Sequence, residues 1–277
     1  MRGPRPTEIT RSRSLFTTGS SMLVLVTGAS SGIGAATARA FAARGDRVIV
    51  SARSEERLDA LVAEIEAAHG PGTALALPLD VSDAAAHEAA VAALPEAWAE
   101  IDVFVANAGL AKGLGPVWEN TVEEIDAMVD TNVKGVLYGV RAVVPGMIAR
   151  GRGHVVTIGS TAGHHVYAGG AVYCATKHAL LALTLGLKMD LHGTPVRVSA
   201  VSPGLVETEF SLVRFGGDAE RADAVYSDTH ALAADDVAAA VVFCATAPAH
   251  VNVQEVLVTS RAQSGTLVAR GEAARGL

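Results

Sequence analysis

Seven short apolar runs, separated by longer stretches of helical character, constrain this chain more than any other feature. The runs are nearly continuous in aliphatic residues, which is typical of strands buried on both faces of a parallel sheet. They cover residues 23–26, 48–50, 74–77, 101–105, 155–158, 196–201 and 256–258. Strand–helix alternation with right-handed crossovers predicts an α/β, doubly wound fold, in which one seven-stranded, mostly parallel sheet carries helices on both faces.

A single domain is expected over residues 22–270. The chain has 277 residues, of which 50% are hydrophobic, and neither a composition shift nor an internal repeat marks a second domain. Residues 1–21 are rich in Arg, Ser and Thr and precede Met22. We expect a disordered tail or an overcalled start there, with a targeting peptide as the other interpretation. Residues 271–277 are expected to be a C-terminal tail.

Charge and cysteine content argue against several classes of function. The net charge of −7 disfavours nucleic acid or an anionic membrane as a partner. No apolar run reaches the roughly 18 residues of a membrane-spanning helix. The two cysteines, Cys174 and Cys244, form neither a disulfide framework nor a metal motif, which favours a reducing, cytoplasmic setting. His164 and His165 lack a third ligand at a recognisable spacing, so no metal site is predicted.

A glycine-rich turn follows the first predicted strand and leads into a helix. Glycines permit a tight turn and close approach of the backbone to a ligand, and the helix N-terminus suits a pyrophosphate. Glycines also occur in such turns for packing alone, but the strand before and the helix after favour a dinucleotide site. The residues assigned to the cofactor here are Gly28, Ser30, Ser31, Gly32, Ile33 and Gly34.

Arg53 lies just beyond the second predicted strand, where NAD-specific sites usually carry an acidic residue for the ribose hydroxyls. An arginine there favours the 2′-phosphate of NADP, so NADP is the predicted cofactor and NAD the alternative. A solvated arginine within a charged stretch is the other interpretation of Arg53.

Tyr173 and Lys177 are spaced i, i+4 in a predicted helix over 171–191 and therefore share one face. A free tyrosine titrates near about 10 and is a poor base at neutral pH. A neighbouring ammonium stabilises the phenolate and lowers its pKa. A packed tyrosine beside a solvated lysine would give the same spacing.

Ser160 and Asn132 are two further polar candidates. Ser160 follows the strand 155–158 at its carboxyl end, where open α/β sheets bind ligands, and its hydroxyl can hold a substrate oxygen. Asn132 falls on the apolar stripe of a helix that begins with a capping box at residues 121–124. A buried amide needs partners, so Asn132 either staples neighbouring backbone or serves a site.

Together these motifs resemble the short-chain dehydrogenase/reductase family, in its single-domain Rossmann branch, over about residues 22–270. The resemblance implies that Asn132, Ser160, Tyr173 and Lys177 form a catalytic tetrad. It also implies that Asp80 and Val81 contact adenine. Asn107-Ala108-Gly109 matches a family motif whose first Asn is here Ala106. The loop implied to hold the nicotinamide carboxamide contains Pro203, Gly204, Val206 and Thr208.

The closer likeness is to bacterial NADP-dependent 3-hydroxy acid dehydrogenases, the group of serine 3-dehydrogenase and L-allo-threonine dehydrogenase. It is carried by residues 107–111, 158–163, 167–170, 190–194, 208–211, 213–215 and 248–252. Three features depart from the group: a shorter loop after Gly204, the pair His164-His165, and a longer loop near residues 67–73. The first two are expected to border the substrate pocket.

The resemblance implies a mechanism. Tyr173 takes the proton of a substrate hydroxyl, Ser160 positions that oxygen, Lys177 lowers the pKa of Tyr173 and holds the nicotinamide ribose, and Asn132 anchors a proton-relay water. Arg214, in the loop that covers the site, is our hypothesis for the group that pairs with a substrate carboxylate. A solvated Arg214 is the alternative. The resemblance also implies a homo-oligomer, a tetramer or dimer, formed through helices like 121–149 and 171–191.

Other functions stay open at this point. A reductase of the same family that acts on ketones, sugars or acyl thioesters would carry the same motifs. A dinucleotide-binding regulator without turnover is disfavoured because such proteins lose the Tyr or the Lys. An epimerase or dehydratase of the extended branch is disfavoured by the glycine spacing TGxxxGxG and by the lack of room for a further substrate domain.

Overall fold

The computed structural model of the protein describes residues 21–271. Most of the two expected tails, residues 1–20 and 272–277, lies outside the described residues.

All seven predicted strands are present, and they form one sheet. Its order is β3-β2-β1-β4-β5-β6-β7. Every pairing in this sheet is parallel, so the sheet is more uniform than the mostly parallel one that the sequence predicts. The strands are β1 (Leu23–Thr27), β2 (Arg47–Ala52), β3 (Ala74–Pro78), β4 (Val103–Ala106), β5 (Gly153–Ile158), β6 (Val196–Pro203) and β7 (Glu255–Val258).

Helices connect the strands and cover both faces of the sheet. They are α1 (Gly32–Ala43), α2 (Glu55–His69), α3 (Ala84–Ala92), α4 (Val122–Val129), α5 (Gly135–Arg150), α6 (Ala171–Asp190), α7 (Phe210–Arg214), α8 (Ala219–Tyr226) and α9 (Ala234–Ala245). Successive strand residues point to opposite faces. Val24 accordingly packs with Phe41 and Val241 under α1 and α9, whereas Leu25 packs with Met147 and Leu180 under α5 and α6. The confirmed doubly wound fold thus has one large core on each face of the sheet, and a third, smaller cluster surrounds Tyr173.

The predicted helix over 121–149 is interrupted. Its capping box forms as expected, since Thr121 accepts from the Glu124 N–H while the Glu124 carboxylate accepts from the Thr121 N–H. Between α4 and α5 the backbone widens into a π-helical turn, Asp130–Lys134, which contains Asn132. Such turns insert one extra residue into the helical repeat and often lie at functional sites.

The segment 205–230 forms α7 and α8 over the carboxyl edge of the sheet. A two-stranded antiparallel hairpin, β8 (Gln263–Ser264) with β9 (Leu267–Val268), follows β7. β1 and β4 are neighbours in the sheet, and the chain leaves them toward opposite edges of the sheet. Their carboxyl ends face the region below α7 and α8.

Candidate active site

A cavity of about 860 Å³ opens at the carboxyl edge of the sheet. Ligands of doubly wound folds bind in this crevice because the connections from neighbouring strands diverge there. Every residue that the sequence assigned to the cofactor, the substrate or catalysis lines this cavity, except Gly34 and Asn132. The structure therefore brings together residues that are up to 186 positions apart, from Gly28 to Arg214.

The turn between β1 and α1 has a shape that requires glycine. Gly28 has φ +65° and Gly32 has φ +51°, in the left-handed region that other residues rarely adopt. A Cβ on Gly28 would lie 2.8 Å from the Ala108 Cα, and a Cβ on Gly34 would lie 2.3 Å from the Gly28 carbonyl oxygen. The first two glycines shape the turn, and Gly34 lets α1 pack directly against it.

Thr27 and Asn107 fasten this turn to the end of β4. The Thr27 hydroxyl accepts hydrogen bonds from the N–H groups of Asn107 and Ala108, both at 3.2 Å. The Asn107 amide donates to the carbonyl oxygens of Thr27, at 2.8 Å, and of Gly28, at 3.1 Å. The two sides of the crevice are thus held at a fixed separation, as a preorganised site needs.

The residues around this turn fit a dinucleotide. Ser31 is the N-cap of α1, but its side chain makes no capping hydrogen bond. The first N–H groups of α1 therefore have no side-chain cap and, with the helix dipole, suit a pyrophosphate. The missing Cβ of Gly28 lets the turn pack directly against Ala108 at the end of β4.

The far rim of the crevice carries the residues assigned to the adenosine end. Arg53 is exposed, lines the cavity and makes no hydrogen bond with the described residues. Asp80 accepts from the Ser82 hydroxyl at 2.7 Å and the Ser82 N–H at 3.0 Å. These bonds, with a smaller contribution from the charge of Arg53, hold the pKa of Asp80 below its usual value. Asp80 therefore stays ionised, and Arg53 is available to an anion.

Tyr173, Lys177 and Ser160 converge between α6 and the end of β5. The Ser160 hydroxyl lies close enough to the Tyr173 hydroxyl to affect its pKa. Lys177 Nζ donates to the Ile158 carbonyl oxygen at 2.8 Å and lies 5.9 Å from the centre of the Tyr173 ring. Tyr173 and Lys177 are both buried. The i, i+4 spacing in α6 therefore places Tyr173 and Lys177 on one face, and the end of β5 places Ser160 beside them, as the sequence predicts.

Burial dominates the ionisation of this pair. It raises the pKa of Tyr173 above its ordinary value, and the nearby Ser160 hydroxyl opposes that rise. Burial lowers the pKa of Lys177 to about 8. Tyr173 is therefore protonated at neutral pH and suited to donate a proton to a carbonyl oxygen. The sequence led us to expect that Lys177 lowers the pKa of Tyr173; burial acts in the opposite direction, and this role of Lys177 stays a prediction.

Asn132 lies behind the cavity, in the π-helical turn, and is only 1% exposed. Its Nδ2 donates to the Leu110 carbonyl oxygen at 2.8 Å and to the Thr176 hydroxyl at 3.0 Å, and its Oδ1 accepts from the Leu110 N–H at 2.8 Å. Asn132 thus ties the loop after β4 to α6, three residues from Tyr173. The stapling role is visible in these contacts, and the proton-relay role stays a prediction.

Arg214, at the end of α7, points into the substrate end of the cavity rather than into solvent. Its Nε donates to the Gly113 carbonyl oxygen at 2.9 Å, and one terminal nitrogen donates to the Tyr167 hydroxyl at 2.9 Å. The guanidinium carbon lies 5.7 Å from the centre of the Tyr173 ring. A cation is therefore held beside the proposed proton-transfer group.

Two site residues escape the sequence assignments. Gln263, in the hairpin, accepts from the Leu205 N–H at 2.7 Å, and a Cβ on Gly204 would lie 2.1 Å from the same Gln263 oxygen. Gln263 thereby supports the loop assigned to the nicotinamide. The sequence could not predict this role, because a single long-range hydrogen bond produces no local sequence pattern. Tyr167 orients Arg214. From the sequence, Tyr167 belongs only to the resembling stretch 167–170 and has no assigned role.

His164 and His165 do not line the cavity, so the expectation that they border the substrate pocket is wrong. Within residues 21–271, no group of three or more His, Cys, Asp or Glu side chains is arranged to hold a metal ion. No helix in the same range has the length and apolar character needed to cross a membrane.

Comparison with known proteins agrees with this geometry. The short chain dehydrogenase family model matches residues 22–214. The chain belongs to the short-chain dehydrogenase family. The resemblance inferred from the motifs is confirmed, and with it the assignment to enzymes of this class.

Named members of the family are similar over most of the chain. The NADP-dependent 3-hydroxy acid dehydrogenase YdfG of Salmonella typhi is 50% identical over 244 residues, which are 88% of this chain and 96% of that protein. Serine 3-dehydrogenase of Agrobacterium fabrum is 43% identical over 84% of this chain and 91% of its own length. The solved closed form of serine dehydrogenase complexed with NADP+ is 45% identical, with a TM-score of 0.85, and covers 91% of this chain and 100% of its own.

Proposed function

We propose that this protein is an NADP-dependent oxidoreductase that interconverts a small 3-hydroxy acid and the corresponding 3-oxo acid. The observation that carries the proposal is the convergence of Tyr173, Ser160 and Lys177 beside a crevice that fits a dinucleotide. The names of the similar proteins, which are NADP-dependent 3-hydroxy acid and serine dehydrogenases, support the same reaction, cofactor and substrate class.

The site residues divide the chemistry among them. When bound, NADP supplies the hydride acceptor for oxidation and, in its reduced form, the hydride donor for reduction. Tyr173 exchanges a proton with the substrate oxygen, and the Ser160 hydroxyl holds that same oxygen in place. Lys177, oriented by the Ile158 carbonyl, provides positive charge to the phenolate form of Tyr173. Asn132 supports α6 from behind.

The shape and charge of the substrate end favour hydroxy acids without an α-amino group. Its lining includes the apolar side chains of Leu110, Leu114 and Phe210. Among the described residues, the only carboxylates on the cavity lining are Asp80, at the adenosine rim, and Glu209, which pairs with Arg57 at 2.7 Å. A substrate ammonium would therefore lose water without gaining an acidic partner.

A substrate panel tests the proposal. We expect NADP reduction, followed by near-UV absorbance, with 3-hydroxypropionate, 3-hydroxyisobutyrate, L-serine and L-allo-threonine, and a higher kcat/KM for the first two. Binding of NADPH without turnover on any of the four would contradict the hydroxy acid assignment. Turnover of ketones or acyl thioesters in its place would identify another reductase of the family.

The choice of NADP over NAD is assigned to Arg53. Arg53→Asp is expected to lower kcat/KM for NADP by roughly 10- to 150-fold, the equivalent of one hydrogen bond to a charged group, and to leave kcat/KM for NAD the same or higher. Kinetics with both cofactors measure this. Arg39→Ala is the control, since Arg39 pairs with Glu64 at 2.7 Å and does not line the cavity. An equal loss with both cofactors in Arg53→Asp would contradict the assignment.

Arg214 is proposed to pair with the substrate carboxylate. Arg214→Leu is expected to raise KM for 3-hydroxypropionate by roughly 10- to 100-fold, because one charge-assisted contact is lost. A neutral alcohol of the same chain length serves as control, and its KM should not change. An equal rise in both KM values would mean that Arg214 acts only by holding Gly113 and Tyr167; no rise at all would remove it from the substrate site.

We also propose that the protein is cytoplasmic and forms a homo-oligomer, either a dimer or a tetramer. Leu137 and Ile148 on α5, with Leu185 and Met189 on α6, are exposed apolar side chains that a second copy would cover. Both cysteines are free thiols, in keeping with a reducing compartment. Light scattering that gives only the 28.3 kDa monomer, or cell fractionation that finds the protein outside the cytoplasm, would contradict these statements.

A further inference from the structure

Glu255, the first residue of β7, makes two hydrogen bonds through one carboxylate oxygen. The Ser202 hydroxyl donates to Glu255 Oε1 at 2.8 Å, and His164 Nε2 lies 2.6 Å from the same atom. Because a carboxylate oxygen only accepts, the histidine must carry its proton on Nε2. Ser202 belongs to β6, and His164 follows the end of β5, so one carboxylate joins three strands.

Both partners of Glu255 contact the short turn that carries Ser160. At its start, the Gly159 N–H donates to the Val201 carbonyl oxygen at 2.7 Å. A Cβ on Gly159 would lie 2.5 Å from the Ser202 hydroxyl, so the backbone rests directly on that side chain. The position of the Ser202 hydroxyl, which Glu255 fixes, therefore sets where the turn begins.

The end of the turn is fixed through His164. The Gly163 N–H donates to the Ser160 carbonyl oxygen at 2.8 Å, and the His164 N–H donates to the Thr161 carbonyl oxygen at 3.0 Å. The Ser160 hydroxyl accepts from the Ala162 N–H at 3.1 Å. Ser160 and His164 are thus the two ends of one hydrogen-bonded turn, and both ends lead to Glu255.

We propose that Glu255 and His164 are positioning residues that hold the Ser160 hydroxyl toward Tyr173. This inference rests on the proposed function. The side chains of His164 and Glu255 are 27% and 28% exposed, and a partly exposed pair of this kind contributes little to the stability of the whole protein. Its effect is therefore local, on the direction of a hydroxyl that must meet the substrate oxygen.

A double-mutant cycle tests the inference, because residues that act through one another are not additive. His164→Ala is expected to lower kcat for 3-hydroxypropionate roughly 10-fold, as loss of orientation does, with KM for NADP unchanged. In the Ser160→Ala background, the same His164→Ala change should have no further effect. Glu255→Gln, which keeps an accepting oxygen, should lose less activity than Glu255→Ala.

The control and the possible outcomes separate this inference from the proposed function. His192→Ala removes an exposed histidine beyond the far end of α6 and should leave kcat unchanged. Wild-type kcat in Ser160→Ala would overturn the role of Ser160 in the proposed function. A loss in Ser160→Ala with none in His164→Ala, or the same His164→Ala loss in both backgrounds, would overturn the positioning role alone. Thermal unfolding of each variant identifies any that has lost its fold.

Discussion

Tyr173→Phe is expected to lower kcat by roughly 10²- to 10⁴-fold, the usual contribution of a positioned proton-transfer group. The change removes only the hydroxyl, whose pKa Ser160 affects. The ring keeps its edge-on contact with Phe210, with the two ring centres 5.5 Å apart. The fold and the cofactor crevice should therefore be unchanged, and the loss should fall on the chemical step.

Steady-state kinetics measure the change in kcat, and NADPH binding, followed by fluorescence, measures the affinity for the cofactor. The Kd for NADPH should be the same in Tyr173→Phe and in the wild type. Tyr138→Phe is the matched control, because Tyr138 packs against His87 on α3 and does not line the cavity. Wild-type kcat in Tyr173→Phe would remove Tyr173 from the mechanism.

Gly34→Ala is expected to weaken NADPH binding by at least about 10-fold and to destabilise the fold by about 1–3 kcal/mol. The added Cβ would lie 2.3 Å from the Gly28 carbonyl oxygen and 2.6 Å from the Asn107 side-chain nitrogen. The first contact is with backbone, so relief requires α1 or the turn to move. The Asn107 hydrogen bond to Gly28 would break in either case, and the crevice would lose its preorganised shape.

Gly186→Ala is the matched control for that substitution. Gly186 lies within α6, and a Cβ there would meet no heavy atom within 4 Å. Alanine in a helix interior is expected to raise the free energy of unfolding by about 0.5–1 kcal/mol. Thermal unfolding and NADPH titration of both variants give the comparison. Equal stability and equal NADPH affinity in Gly34→Ala and the wild type would contradict the packing role of Gly34.

The sequence predicts the sheet and the central site well for a physical reason. Strands buried on both faces must be almost wholly apolar, so they stand out from the helices between them. Tyr173 and Lys177 share a face because the helical repeat puts i and i+4 together. Ser160 could be assigned because a strand end is a fixed place in a doubly wound fold. Each of these signals is local in the chain.

Features that depend on tertiary contacts could not be predicted. The π-helical turn at Asn132 adds a residue to a repeat that the apolar stripe alone does not resolve. Gln263 acts through one hydrogen bond to a residue 58 positions away. The direction in which the pKa of Tyr173 shifts depends on burial, which outweighs the opposing effects of Ser160 and Arg214. The hydrogen bond between His164 and Glu255, which keeps His164 outside the cavity, is likewise a tertiary contact that the sequence does not show.

Under the proposed function, C3 of a 3-hydroxy acid exchanges hydride with NADP in the crevice beside Tyr173. Mass spectrometry of the NADPH formed from 3-hydroxypropionate carrying deuterium on C3 tests this most directly. We expect the wild type to form NADPH that carries deuterium from the substrate, and Tyr173→Phe to form almost none. NADPH without deuterium, or equal formation in the wild type and Tyr173→Phe, would contradict it.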